Sequence, residues 1–208
     1  MLMADPRVAS IAVQECGEPL VVVPDLAVSG LKAELGADRL HVRAGVADRM
    51  AEAQRLLPDG VRLLFVEGWR APLVQRHYFD SYRDTLRAEG IEPAELDRLA
   101  SRYVSPPQLA PHTAGAAVDL TLGTADGAEL DLGTRVNASP EESDGACYTA
   151  AANISAEAVA NRAILSRAME RAGFVNYPTE WWHWSYGDRY WALITGARAA
   201  VYGAAARP

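Results

Sequence analysis

The apolar runs of this chain are all short, and that feature sets the scale of what it can build. The longest lie around residues 21–23 and 61–66, the length of a strand. A bilayer-crossing helix needs roughly 20 consecutive apolar residues, so no membrane partner is expected. Residues 61–66 are dense in branched and aromatic side chains and read as a buried strand.

Around that strand the spacing becomes helical. Val46, Met50, Ala53, Leu56 and Leu57 form one apolar stripe over residues 44–57. Pro72 suits the first turn of a helix over 72–89, which Gly90 closes, and Pro93 opens a shorter one to about Arg102. Ser155 caps a helix ending at Gly173, with Val159, Ala163, Ile164, Ala168 and Met169 on its buried side. Further strands are expected at 11–13, 20–23, 117–122, 129–132 (after an Asp126-Gly127 turn), 181–186 and 190–193. Strands and helices do not alternate regularly. The expected fold is therefore α+β, a single domain over residues 1–208 with a mainly antiparallel central sheet flanked by helices.

Composition removes several function classes. Half the residues are hydrophobic and 23% are charged, which is ordinary for a folded chain. The net charge of −7, with no block of basic residues, disfavours nucleic acid. Cys16 and Cys147 lie far apart, so neither a disulfide framework nor a cysteine zinc site is expected. No GxSxG elbow occurs. Residues 1–10 carry Asp5 and Arg7 and no signal-peptide core, from which a cytoplasmic location is expected. Lys32 is the only lysine among 20 basic residues, which reads as compositional bias.

The chemistry concentrates in two segments. The first runs from Pro111-His112 through Gly115 to Asp119; the second is Glu180-Trp181-Trp182-His183. Together they offer two imidazoles, a ligating carboxylate and a free carboxylate. That is the donor set of a catalytic zinc site, with three protein ligands and a base beside an open position. His112 and Asp119 are seven apart and would fall on opposite faces of a straight strand, so a bend is required, and Gly115 permits one. Glu180 and His183, three apart, need a turn or bulge after Pro178. Asp119, alternating with Ala and Val, would be costly to bury without a partner. His41 and His77 lack a carboxylate at ligand spacing and read as structural.

The run His112-x-x-Gly115-x-Ala117-x-Asp119-Leu120-Thr121-Leu122, joined to Glu180-Trp181-Trp182-His183, resembles the zinc D,D-peptidases, above all the D-alanyl-D-alanine dipeptidases of vancomycin resistance (VanX-type). Glu67-Gly68-Trp69-Arg70, Leu132-Gly133-Thr134, Asn161-Arg162 and Gly173-Phe174 match that family too, so the likeness runs from about residue 61 to 195. It implies the zinc D,D-peptidase (hedgehog-like) fold, one Zn2+ per chain on His112, Asp119 and His183, Glu180 as general base, and Arg70 beside the scissile carbonyl. The implied partner is a small D,D-peptide, with Trp182 and Asn137 at the substrate. Asn137 stands where the family places an Asp that binds the substrate's ammonium, so Glu141, Glu142 or Asp144 in the polar loop 137–153 is expected to supply that charge. Two alternatives stand beside the dipeptidase: a carboxypeptidase or endopeptidase acting on longer or N-acylated peptides, and a zinc-stabilised binding module without turnover.

Overall fold

The computed structural model describes every residue except position 24. Strands are β1 (Leu20–Val22), β2 (Ala27–Val28), β3 (His41–Arg43), β4 (Val61–Glu67), β5 (Ala117–Thr124), β6 (Val175–Tyr177) and β7 (Glu180–Ser185). Helices are α1 (Pro6–Ser10), α2 (Ala44–Arg55), α3 (Pro72–Ala88), α4 (Leu96–Ala100), α5 (Ala156–Arg171) and α6 (Arg189–Thr195). Five strands form one sheet in the order β2-β4-β5-β7-β6, antiparallel except for the β2–β4 pair. β1 and β3 make a separate antiparallel ribbon. Among the described residues no helix is long and apolar enough to cross a membrane.

The α+β expectation is met. The central strands are buried on both faces; on one of them Leu63, Phe65, Val118, Leu120, Leu122 and Trp184 pack with Val46, Met50, Leu165 and Met169 from α2 and α5. A second apolar cluster, built from Phe79, Leu86, Leu96, Ala100 and Val104, ties α3 to α4. It sets a helical wall beside the open end of the sheet.

Local signals placed most elements and misplaced a few. Residues 11–13 form no strand, only a bridge from Val13 to Ala200. The return after Asp126-Gly127 is likewise a single bridge, Gly123 to Glu129. Residues 190–193 are helical because Asp188 caps them: its carboxylate accepts from the backbone N–H groups of Tyr190 (3.0 Å) and Trp191 (3.1 Å). Ser155 does cap α5, but that helix is rotated from the expected face. Ala158, Arg162 and Leu165 point inward together with the expected Ala168 and Met169, Ile164 packs at the edge of the core, and Val159 is half exposed. The cause is Arg162, whose guanidinium donates to the carbonyls of Leu132 (2.8 Å), Ala146 (2.8 Å) and Tyr148 (2.7 Å). Those bonds fasten the segment that carries the loop 137–153 to the body of the fold.

Candidate active site

Sheet register assembles the site. In the antiparallel ladders Asp119 of β5 pairs with His183 of β7 on one side and with Glu67 of β4 on the other. Glu67, Asp119 and His183 thus form one row across three adjacent strands. His112 joins them from a 3-10 turn, Pro111–Ala114, that ends in Gly115 at φ +65°. A Cβ there would stand 2.3 Å from Leu20 Cδ2, so both backbone and space call for glycine. The bend expected between His112 and Asp119 lies at this residue.

Glu180 reaches the same side as His183 through a bulge. Asn176 pairs with Trp184 while Tyr177 pairs with Glu180, so residues 181–183 have no opposite partners in β6. The Asn176 side-chain amide spans the irregularity, donating to the carbonyls of Glu180 (3.1 Å) and His183 (3.0 Å). Trp181 and Trp182, 1% exposed, go into the core, where their rings meet edge to face at 5.4 Å. Trp182 therefore does not line the cleft. The cleft lining includes its neighbours Glu180 and His183 and not Trp182, which departs from the expectation that it touches substrate.

The three ligand atoms converge. His112 Nε2 is 3.2 Å from His183 Nδ1 and 3.3 Å from Asp119 Oδ1, and His183 Nδ1 is 3.1 Å from that same oxygen. His112 Nδ1 donates to the Gly68 carbonyl at 2.7 Å. This fixes the tautomer and leaves the Nε2 lone pair facing the other two donors. Burial lowers the His183 pKa and favours its neutral, ligand-ready form. At Asp119 burial works toward a higher pKa, but His112 and His183, while they carry protons, and Lys32 outweigh it and hold the carboxyl well below its ordinary value. Two lone-pair nitrogens and an ionised carboxylate crowded together in a buried corner fit a divalent cation with nitrogen and oxygen preference.

The free carboxylate has the opposite bias. Burial pushes the Glu180 carboxyl well above its usual range, and the Asp119 charge adds to the push. Its Oε2 lies 3.7 Å from His183 Nδ1. Arg70 is locked in place: Nε and Nη2 donate to the two oxygens of Glu67 at 2.6 and 2.7 Å, and Nη1 donates to Gln75 Oε1 at 2.7 Å. Glu67 is fully buried; desolvation alone would raise its pKa, but Arg70 and Lys32 bring it down to about 2.

These groups open on a cleft of about 370 Å³ whose far wall is formed by α3 and its neighbours, including Tyr78, Tyr82 and Tyr103. Asn137 lines it, with φ +61° and its carbonyl held by the Tyr103 hydroxyl at 2.9 Å. The proposed acidic substitutes do not. Glu141 is taken by Tyr82 and Arg102, and Glu142 by Arg135, and neither they nor Asp144 line the cleft. His41 Nδ1 donates locally, to the Asp38 carbonyl, whereas His77 stands on the cleft wall. Lys32 was missed. Its ammonium contacts Glu67 and lies 3.5 Å from Asp119 Oδ2, and the available signal was its being the sole lysine in the chain.

A buried His–Asp–His cluster at a strand junction, with a glutamate and a fixed arginine opening on one cleft, defines a metallopeptidase. The D-Ala-D-Ala dipeptidase family matches residues 33–195, and the chain belongs to that family. It is 29% identical to the D-alanyl-D-alanine dipeptidase of Synechocystis sp. over 88% of this chain and 87% of that protein. It is 40% identical to the D-alanyl-D-alanine dipeptidase of Enterococcus faecium over 69% of this chain and 71% of that protein. Among solved structures, the LD-carboxypeptidase LdcB is similar in fold, with a TM-score of 0.50 at 20% identity, covering 90% of this chain and 76% of that one.

Proposed function

We propose that the protein hydrolyses a D,D-dipeptide such as D-Ala-D-Ala, with one zinc ion per chain held by His112, Asp119 and His183. The observation that carries this reading is the mutual approach of those three ligand atoms with the Glu180 carboxylate beside them. Bound there, zinc supplies Lewis acidity and lowers the pKa of water from 15.7 to roughly 7. Glu180, with its proton affinity raised by burial, takes a proton from the attacking water and hands one to the departing amine. Arg70, immobilised by Glu67 and Gln75, faces the scissile carbonyl and stabilises the negative charge that develops on its oxygen. The small cleft suits a short peptide.

The test is release of free alanine from D-Ala-D-Ala by zinc-loaded protein. Glu180→Ala should abolish release while zinc stays bound; near-normal turnover by that variant would remove Glu180 from the mechanism.

One observation favours a second reading, in which the peptide is N-acylated or longer. Among the described residues, the only carboxylates lining the cleft are Asp119 and Glu180, and Asn137 brings no charge to a free ammonium. Cleavage of the free dipeptide and its N-acetyl form separates the two. On the dipeptidase reading, Asn137→Asp lowers KM for the free dipeptide alone; an equal change for both peptides favours the second.

A further inference from the structure

The dipeptidase and carboxypeptidase readings share one end: a carboxylate one residue beyond the scissile amide. Brought beside Asp119 and Glu180, that carboxylate is repelled unless a cation receives it. Besides the imidazoles, two cations line the cleft, Arg70 and Lys32. Arg70 engages three of its five N–H donors with Glu67 and Gln75, and the donors that remain are assigned above to the scissile carbonyl. Lys32 is different. Its ammonium carries three donors, and its partners are Glu67 and, at 3.5 Å, Asp119 Oδ2. One donor is left over on a side chain that is 14% exposed at the cleft.

Position supports the same use. Asp119 turns Oδ1 to the imidazoles and Oδ2 to the two cations, with Lys32 Nζ at 3.5 Å and Arg70 Nη2 at 3.9 Å. The ammonium and guanidinium thereby make a cationic corner on the side of Asp119 away from the metal ligands. The rest of the lining is largely uncharged, with Tyr82 and Tyr103 among it, while Tyr78 lies against the Arg70 guanidinium at 5.2 Å. A compact ammonium with tetrahedral donors can serve two protein carboxylates and a ligand oxygen together, which a planar guanidinium fork does less well. Lys32 also stands just before the stretch that matches the family, at φ +57° ahead of a 3-10 turn.

We propose that Lys32 anchors the C-terminal carboxylate of the peptide and makes the cleft selective for a free carboxyl end. This rests on the peptidase reading above. The experiment compares wild type, Lys32→Met and Lys32→Arg on D-Ala-D-Ala and on its C-terminal amide. Wild type should prefer the acid. Lys32→Met should lose about 10- to 100-fold more in kcat/KM on the acid than on the amide, mostly through KM. Lys32→Arg should recover part of the acid preference. Calorimetric binding of the acid to Glu180→Gln and to Glu180→Gln/Lys32→Met should show the same loss in affinity at equal zinc content. Equal losses on acid and amide, or loss of zinc from Lys32→Met, would reduce the residue to a prop for Asp119 and overturn the anchor. No loss on the acid would overturn it as well. If wild type cleaves neither peptide, the peptidase reading fails, and the calorimetric comparison still decides on Lys32: an unchanged affinity, or no binding of the acid, rejects it.

Discussion

Asp119 and His183 face each other across the β5–β7 ladder, and the register puts Oδ1 of one 3.1 Å from Nδ1 of the other. Two ligands set by backbone pairing need little rearrangement to hold an ion. Zinc at about 100 times its dissociation constant should stabilise the fold by about 2.7 kcal/mol. For a chain of this size that raises Tm by roughly 5–10 °C. Asp119→Ala should abolish the rise, as read by thermal melts with and without zinc. A shift of equal size in the variant would place the ion elsewhere.

Glu180→Gln keeps the shape of the site and removes the base. Turnover should fall by about 10³-fold or more with zinc content unchanged. The same substitution bears on stability. Burial lifts the Glu180 carboxyl above its ordinary value of 4.5, so its contribution is complete below that pH and is lost as pH rises through the lifted value. Metal-free Glu180→Gln should therefore melt higher than metal-free wild type at pH 8, and the difference should vanish near pH 4.

Glu67 has the opposite sign. Its carboxyl moves from 4.5 to about 2 because Arg70 and Lys32 overcome burial. The stability it contributes is present above 4.5 and lost as pH falls toward 2. A shift of that size corresponds to about 3 kcal/mol. Urea denaturation between pH 6 and pH 2.5 should show this loss in wild type and a shallower dependence in Glu67→Gln, which starts from a lower stability at neutral pH.

Gly115 turns the chain from the His112 segment into β5. Gly115→Ala should cost about 1–3 kcal/mol, since a Cβ at φ +65° is strained and meets Leu20 Cδ2 at 2.3 Å. Adding Leu20→Ala relieves the collision and leaves the backbone strain. The double variant should thus regain part of the turn's stability, measured against Leu20→Ala alone.

Much of this was readable from the chain. The stripe Val46-Met50-Ala53, the Ser155 cap and the dense run at 61–66 are local signals, and α2, α5 and β4 follow them. The pattern His112…Asp119 with Glu180…His183 also pointed to a metal cluster, because that donor set has few other uses. Where local signals were misleading, a tertiary contact had decided the matter. Arg162 turned α5 to reach three loop carbonyls, and packing drew Trp182 into the core.

Sequence by itself held the candidate donor types, the need for a bend at Gly115 and the kinds of element on either side. Only the folded structure decided which groups share a cleft. It set Glu67 beside Asp119 through strand register, tied Glu141 and Glu142 to arginines away from the cleft, and brought Lys32 to the far side of the metal ligands. The reason is physical: caps, turns and periodicity act over a few residues, whereas a buried charge takes its partner from whatever strand or loop the packing brings alongside.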